Sequence, residues 1–459
     1  MTTAHHPRLG IDWPRAQAFL AREQARYIQD NPTSARLAAQ AQKHLLFGVP
    51  LHWMRDWGTP FALHVAHAHG ACVTDVDGHT LADFCLGDTG AMFGHAPEPV
   101  ARVLAQQATQ GYTTMLASED AAVVGQALSE RFGLPFWQFA LSATDANRYT
   151  LRWIRAATGR RKVLVFNGCY HGTLEDVFVD LVDGQPVQRD SLLGQVHDLL
   201  EHTVVVEFND LSALQTALAA GDVACVLAEP VMTNIGMVLP EPGYWLAAQA
   251  LIRQHGSLLV IDETHTISSG PGGYSQAHGL QPDALVLGKP VGGGVPCAVY
   301  GLSHELAERA VRAKQSAPPG HSGIGTTLTG NMLAMAAMRA TLTEVMTAQA
   351  YQHMQAQAEH LAAGLRQLIG RYRLPWCVTQ VGARTEFQFG PTPPRNGTEA
   401  GQLLDSELEH TIHLGLLNRG VLITPFHNMM LVSPATEAAQ IQQLLDALDE
   451  VLAQIVPTA

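Results

Sequence analysis

Apolar and polar residues follow one another along the chain in two patterns, one predicting helices and the other strands. Residues 14 to 45 carry apolar positions at helical spacing among Arg, Gln and Ala, so one or two amphipathic helices are expected there. From Ala62 to Phe84 apolar and polar residues alternate, and Asp77-Gly78 is a typical hairpin turn. This second stretch therefore predicts antiparallel strands.

Short, continuous apolar runs further along the chain are typical of strands that are buried on both faces. The clearest runs end at Glu229, Asp262 and Lys289. Helical spacing returns from residue 351 to 372 and from residue 437 to 455, while strands are expected in the segments 377–389 and 420–436. Buried strands among helices indicate an α/β protein.

The composition indicates how large a core the chain can bury and which classes of partner it can bind. The chain has 459 residues, of which 47% are hydrophobic and 15% charged, so it can bury a large core and is expected to divide into two domains. Its formal net charge is -13, and its 28 Lys and Arg residues are spread thinly. A nucleic-acid partner needs clustered positive charge, so none is expected, and an anionic membrane surface is equally unsupported.

The cysteines and the N-terminal sequence indicate the compartment. Six cysteines are scattered without a Cys-x-x-Cys pair, which predicts reduced thiols and neither a disulfide framework nor a zinc site. The first residues lack a basic segment followed by a long apolar one, and no apolar run reaches membrane-spanning length. We therefore expect a cytoplasmic protein. His64, His67 and His69 are irregularly spaced and are expected to be solvated strand residues, so no metal is predicted.

Candidate chemistry lies where two of the apolar runs end. Asp262 closes one run and Lys289 closes the next, and three glycines follow the lysine closely. In an open parallel sheet the carboxyl ends of the strands line one crevice, so these two side chains are expected to meet. A lysine amine can attack an aldehyde, and a buried aspartate can hold a protonated ring nitrogen. Taken singly, each residue favours a plainer interpretation, in which Lys289 lies in a surface loop and Asp262 caps a helix.

Taken together, the Asp262-Glu263 pair, the segment Pro282 to Lys289 and the Gly-Gly-Gly-Val-Pro sequence resemble the class III pyridoxal-phosphate aminotransferases. The similarity is greatest to the branch of glutamate-1-semialdehyde aminomutases and β-amino-acid aminotransferases, and it runs from about Ala71 to the C-terminus. The resemblance implies fold type I: a large domain with a mostly parallel seven-stranded sheet, and a smaller α+β domain built from the N- and C-terminal parts. The expected limits are 1–84 for the N-terminal segment, 85–330 for the large domain and 331–459 for the C-terminal part.

The same resemblance implies a cofactor, pyridoxal phosphate, and a role for each site residue. Lys289 would form a Schiff base with the cofactor aldehyde, and Asp262 would hold the ring nitrogen. The other implied cofactor contacts are Ser142, Ala143, Thr144 and Thr327 at the phosphate, Tyr170 and Thr264 on the ring faces, and Asn234 near the phenolic oxygen. Thr327 would reach the neighbouring subunit's cofactor, so a homodimer with shared active sites is implied.

Several positions depart from the family's pattern. Ala143 replaces a glycine in the phosphate turn. Thr264 stands where a valine is usual, and its hydroxyl needs a partner if it is buried. His265, beside it, is also unusual, and either reaches the site or has a supporting, buried role.

Substrate recognition is less well defined by the sequence. A substrate carboxylate is normally bound by an arginine. Arg55 and Arg384 are the candidates, although Arg384 can instead pair with Glu386 or Asp405. Further candidates near the substrate are Trp57 and His427, and Trp53, Trp57 and Phe426 form either an aromatic pocket or part of the core.

The resemblance implies transfer of an amino group from an amino acid or amine, with a bulky or hydrophobic donor allowed, to an oxo-acid or ketone. The alternative is an aminomutase or a racemase on the same scaffold. His427-Asn428 replaces an acidic residue of the aminomutases, which counts against that activity. A catalytically silent scaffold is disfavoured because Asp262 and Lys289 occur together. The polar loop 183–196 stands where aminomutases carry a mobile lid, so a lid is expected there.

Overall fold

The chain folds into four sheets surrounded by helices, in a computed structural model that describes residues 9–457. The strands are β1 (Val65–His69), β2 (Cys72–Asp75), β3 (Thr80–Asp83), β4 (Phe136–Ala140), β5 (Lys162–Phe166), β6 (Val179–Val182), β7 (Gln185–Gln188), β8 (Thr203–Val206), β9 (Val223–Ala228), β10 (Leu258–Asp262), β11 (Ala284–Leu287), β12 (Ala298–Leu302), β13 (Cys377–Val381), β14 (Arg384–Gln388), β15 (Val421–Leu422) and β16 (Met429–Leu431).

The α-helices connect these strands. They are α1 (Trp13–Asp30), α2 (Pro32–Ala41), α3 (Glu98–Gln107), α4 (Asp120–Phe132), α5 (Ala143–Thr158), α6 (Leu211–Leu218), α7 (Tyr244–Gln254), α8 (Gly273–His278), α9 (His304–Ser316), α10 (Met332–Ala340), α11 (Ala348–Arg371), α12 (Gly397–Gly401), α13 (Ser406–Leu417) and α14 (Ala438–Ile455). The two helices expected near the start and the closing helix are confirmed. None of the helices in the described range is long and apolar enough to cross a bilayer.

The larger of two compact units comprises residues 98–351 and 394–402. Its seven-stranded sheet has the order β4-β12-β11-β10-β9-β5-β8. Strands β8, β5, β9, β10 and β11 pair in parallel, and only β12 pairs antiparallel with its neighbours β11 and β4. This confirms the expected α/β class with a mostly parallel sheet of seven strands. The central strands are buried throughout, which explains why they are continuous apolar runs.

The other unit comprises residues 9–97, 352–393 and 403–457. It contains a sheet of order β1-β2-β3-β15 and a sheet of order β13-β14-β16. Its core is formed by apolar residues of α1, α13, α14 and the strands, with Phe19, Phe84, Leu408, Met430 and Val451 at its centre. The N- and C-terminal parts of the chain therefore fold together, as the resemblance implied.

The limits of the two units lie further along the chain than the expected limits at residues 84 and 330. Residues 85–97 belong with the smaller unit, where His95 Nε2 lies 2.7 Å from the Asp83 carboxylate and residue 95 bridges to Gly70. Residues 331–351 belong with the larger unit because α10 packs on α3, with Ala336 and Ala340 against Val103.

The polar segment 183–196, expected as a loop, is partly a hairpin. Strands β6 and β7 pair antiparallel around Asp183-Gly184, and both turn residues have positive φ. Arg189 closes the hairpin through Asp180, with a shortest distance of 2.8 Å. The expected loop therefore contains one strand, β7, because residues on either side of a tight turn can pair. A lid role for this segment stays a prediction.

Helix packing in the smaller unit gives a testable pair of substitutions. Gly415 in α13 leaves no room for a methyl group: an added Cβ would lie 2.8 Å from Val451 Cγ2 and 3.0 Å from the Phe19 ring. We expect Gly415→Ala to lower the free energy of unfolding by about 1–3 kcal/mol through overpacking. Urea unfolding followed by circular dichroism measures it.

Gly370 in α11 is the matched control, since nothing lies within 4 Å of its added Cβ. Gly370→Ala should raise the free energy of unfolding by about 0.5–1 kcal/mol, because alanine is the better helix former. If the two substitutions changed the free energy of unfolding equally, the described packing of α1, α13 and α14 would be contradicted.

Candidate active site

Asp262 is the last residue of β10 and is only 4% exposed. Its carboxylate receives hydrogen bonds from three groups: Asn147 Nδ2 at 2.9 Å, His171 Nδ1 at 3.1 Å and the Thr264 backbone N–H at 3.1 Å. Burial alone raises the pKa of an aspartate, but His171, Thr264 and Asn147 outweigh it and lower the pKa of Asp262 to about 2. Asp262 is therefore a buried anion at neutral pH.

His171 supplies the compensating charge. Burial lowers the pKa of this fully buried ring, but the hydrogen bonds and charges of Asp262 and Cys169 together outweigh burial and raise the pKa to about 10. The two residues thus form a buried ion pair. His171 Nε2 has no hydrogen-bond partner among residues 9–457. His171 and Asn147 received no role from the sequence, although His171 follows Tyr170 directly in the motif that carries the resemblance.

Lys289 begins the turn that follows β11, beside the end of β10. The strands pair in register, with Asp262 opposite Val286, and the Glu263 N–H donates to the Val286 carbonyl at 2.8 Å. The side chain of Lys289 is half-buried, and its Nζ lies 2.8 Å from Nε2 of His265. Its φ is +42°, a left-handed conformation that is uncommon for a residue with a side chain. Such backbone strain is concentrated at functional sites.

Gly288 allows Lys289 to approach the start of α5. A Cβ added to Gly288 would lie 2.8 Å from Ala143 Cβ and 3.2 Å from the Ala143 backbone nitrogen. Only glycine fits at this close approach. The ends of β11 and β10 and the N-terminus of α5 therefore meet at one place.

Thr264 and Glu263 hold the segment after β10. The Thr264 hydroxyl accepts a hydrogen bond from the Gly288 N–H at 3.2 Å, which supplies the partner that a buried hydroxyl needs. The Glu263 carboxyl group accepts from the Ser275 N–H at 2.6 Å and from the Thr266 hydroxyl at 2.5 Å. Burial raises the pKa of Glu263. Glu263 thus turns away from the site and fixes the following loop.

The N-terminus of α5 forms a candidate phosphate site. Ser142 is the N-cap, and its hydroxyl accepts from the Asp145 N–H at 3.2 Å. Thr144 Oγ1 accepts from the Thr173 N–H at 3.1 Å, and Gly172, with a φ of +83°, lies too close to Thr144 for any side chain. First-turn N–H groups and the helix dipole favour an anion here.

Three other predicted cofactor contacts also belong to the larger unit. Tyr170 follows β5 and is 39% exposed, and Thr327 is exposed in the loop before α10. The amide of Asn234 donates to both carboxyl oxygens of Glu229, at 3.2 and 3.3 Å. Burial raises the pKa of Glu229 to about 7. Their roles at the ring, the phosphate and the phenolic oxygen stay predictions.

The predicted substrate residues all belong to the smaller unit. Arg384 is completely buried, donating to the Thr89 hydroxyl and to Met429 Sδ. Arg55 is exposed and Trp57 is half-buried. A substrate role for Arg55, Trp57 and Arg384 stays a prediction.

His427 has a buried carboxyl partner. Its Nδ1 lies 2.8 Å from Oε1 of Glu386. Burial lowers the pKa of His427, but Glu386 outweighs burial and the net shift is upward. Near it, the Trp53 and Phe426 rings meet edge to face at 5.9 Å. The substrate role of His427 also stays a prediction.

These residues suit a phosphorylated pyridine aldehyde. A carboxylate offers about four acceptor positions, and the three donors at Asp262 leave room for one ring N–H. Lys289 provides the amine, and the start of α5 provides donors for a phosphate. The donor set therefore fits pyridoxal phosphate.

Comparison with known proteins identifies the family. The model for aminotransferase class-III matches residues 53–452. The chain belongs to the class III aminotransferases. It is therefore a pyridoxal 5′-phosphate-dependent enzyme of fold type I, which confirms the family, fold and cofactor that the sequence predicted.

Its relatives are aminomutases and transaminases. A glutamate-1-semialdehyde-aminomutase from Pseudomonas aeruginosa PAO1 is 49% identical, with a TM-score of 0.95 over 97% of this chain and 99% of that chain. A lysine-to-alanine variant of that protein was solved with PMP, at 48% identity, a TM-score of 0.95 and coverage of 97% and 100%. The glutamate-1-semialdehyde 2,1-aminomutase of Chloroflexus aggregans is 33% identical over 84% of this chain and 89% of its own length.

The His171–Asp262 pair predicts a pH-dependent stability. Because the folded-state pKa of His171 is raised from 6.5 to about 10, its stabilisation is complete below about pH 6.5 and is lost as the pH rises through about 10. We expect His171→Gln to destabilise the protein most at the acid end of this range. As the pH rises, the difference in the free energy of unfolding between this variant and the wild type should shrink by up to about 1.4 kcal/mol per pH unit. Urea unfolding at several pH values measures it.

His202 is the control, because it is exposed and lies 3.9 Å from the exposed Glu201. His202→Gln should leave the free energy of unfolding nearly unchanged throughout. A His171→Gln penalty that is the same at every pH would contradict the buried ion pair.

Proposed function

We propose that the enzyme is an aminomutase that exchanges the amino and oxo groups of one small amino aldehyde carrying a carboxylate, as in glutamate-1-semialdehyde. The observation that carries this proposal is the 49% identity to an aminomutase over nearly the full length of both chains. The relatives named as 2,1-aminomutases, at about a third identity, support the same reaction. The reaction first expected from the sequence, transfer between two molecules, has less support.

The residues of the site fit the chemistry. Asp262, kept anionic by His171, holds the proton on the ring nitrogen. Lys289 would hold the cofactor aldehyde and, once released, would move a proton between the substrate and the cofactor as general base and then general acid. When bound, the cofactor supplies an electron sink for the carbanion. The first turn of α5 orients the phosphate and thereby the ring.

Transfer between two molecules is the second candidate, and one observation favours it. The resemblance implies that His427-Asn428, in the segment before β16, stands where the aminomutases carry an acidic residue, and His427 Nδ1 lies 2.8 Å from Oε1 of Glu386. An imidazole in place of a carboxylate would change the charge near the proposed substrate position. A solved ω-transaminase from Sphaerobacter thermophilus, 25% identical with a TM-score of 0.84, shares the fold.

The other predicted site residues would contact the cofactor and the substrate as follows. A homodimer would bring Thr327 to the partner's phosphate, which suits its exposed position before α10. Asn234 would contact the phenolic oxygen, with Tyr170 and Thr264 on the two ring faces. The substrate carboxylate would be held by Arg384 or Arg55, with Trp57 and His427 near it.

Product analysis without an amino acceptor tests the reaction type. We expect continuous conversion of glutamate-1-semialdehyde into its isomer with the amino and oxo groups exchanged, because a mutase returns the amino group to the same molecule. Chromatography that quantifies both substrate and product over many turnovers measures this conversion.

Lys289→Ala should abolish this conversion and is the negative control. A reaction that stops after one turnover and resumes on addition of pyruvate or 2-oxoglutarate would instead establish an aminotransferase. It would contradict the aminomutase proposal while leaving the family assignment intact.

A further inference from the structure

We propose that His265 is a catalytic residue that takes the proton from the Lys289 ammonium, and so delivers the free amine for attack on the cofactor. The inference rests on the proposed role of Lys289 but not on which substrate is used. The sequence left His265 open between the site and a supporting role. The structure shows its Nε2 at 2.8 Å from Lys289 Nζ.

The contact between His265 and Lys289 is fixed by the backbone on both sides. One residue earlier, Thr264 and Gly288 are joined by a hydrogen bond of 3.2 Å across the ends of β10 and β11. Gly288 is held against Ala143, and Lys289 adopts its left-handed φ. Together these constraints place His265 and Lys289 opposite each other.

The segment after His265 is held as firmly. Glu263 anchors it through Thr266 at 2.5 Å and Ser275 at 2.6 Å, and the Ser268 N–H donates to the His265 carbonyl at 3.3 Å. The His265 side chain is only 5% exposed. It therefore meets Lys289 with little competition from water.

A hydrogen bond between these two nitrogens restricts their charges. A contact of 2.8 Å needs one N–H donor and one lone pair. If the ring and the amine were both protonated, neither nitrogen would have a lone pair to accept the bond. At least one of the two nitrogens therefore keeps its lone pair, and His265 Nε2 lies where it can accept a proton from Lys289 Nζ.

The proposed step balances in atoms and charge. One Nζ–H bond of the ammonium breaks, its electron pair stays on Nζ, and the proton forms an N–H bond at His265 Nε2. The positive charge passes from Lys289 to the imidazole. The free amine would then attack the carbon–nitrogen double bond of the cofactor. One of its two remaining protons would pass to the amine already bound there, and that amine would leave with this proton.

Recapture of the cofactor by Lys289 tests this proposal without knowledge of the substrate. Methylamine is used to displace Lys289 from the cofactor of the holoenzyme, and dilution then lets Lys289 return, followed by stopped-flow visible absorbance. His265→Gln keeps a polar side chain but cannot carry the proton. We expect it to slow the return about tenfold to a hundredfold near neutral pH, and less at higher pH where the amine deprotonates unaided.

Chemical rescue separates proton transfer from packing. We expect Lys289 to return to the cofactor as slowly in His265→Ala as in His265→Gln. Added imidazole should accelerate the return in His265→Ala and leave the rate in His265→Gln unchanged. His202→Gln, an exposed histidine in the same unit, should recapture the cofactor at the wild-type rate with or without imidazole.

Two outcomes would overturn the proposal. A wild-type rate for His265→Gln at every pH would show that no proton passes to residue 265. Slow return of both variants without rescue of His265→Ala would assign His265 a purely spatial role. If the holoenzyme shows these kinetics but no conversion of glutamate-1-semialdehyde, the aminomutase proposal fails and the role of His265 stands.

Discussion

The structure depends on one buried anion, the carboxylate of Asp262. An isolated carboxylate is costly to bury, and here the cost is offset by a protonated histidine, an asparagine amide and a backbone N–H. These donors come from the first turns of α5, from the segment after β5 and from the end of β10. Removing the charge of Asp262 would leave His171 as an uncompensated buried cation. Folding of this region and the proposed binding of a protonated pyridine would thus rest on the same ion pair.

Catalytic geometry follows from how the strands end around this anion. The pairing of β10 with β11 places residue 289 just past residue 262, and Thr264 joins the two strand ends through the Gly288 N–H. The missing side chain of Gly288 lets the start of α5 approach the segment that carries Lys289. A ring, an aldehyde and a phosphate would thus be recognised by three elements that hydrogen bonds and packing hold together.

Much of this arrangement could be predicted from the sequence, because strand ends in a parallel sheet share one edge. Asp262 and Lys289 were found in this way. The partners of Asp262 were not, since Asn147 and His171 lie 115 and 91 residues away and no local pattern marks that they converge. The environment of Arg384 could not be predicted either: its charge suggests a carboxylate ligand, but no local pattern indicates that its side chain is completely buried.

Protonation of the cofactor ring is the most direct measure of whether Asp262 does what its surroundings allow. Nuclear magnetic resonance of enzyme loaded with cofactor isotopically labelled at the ring nitrogen reports this state. We predict a protonated nitrogen in the wild-type enzyme at neutral pH and an unprotonated one in Asp262→Ala. An unprotonated nitrogen in the wild-type enzyme would contradict the account.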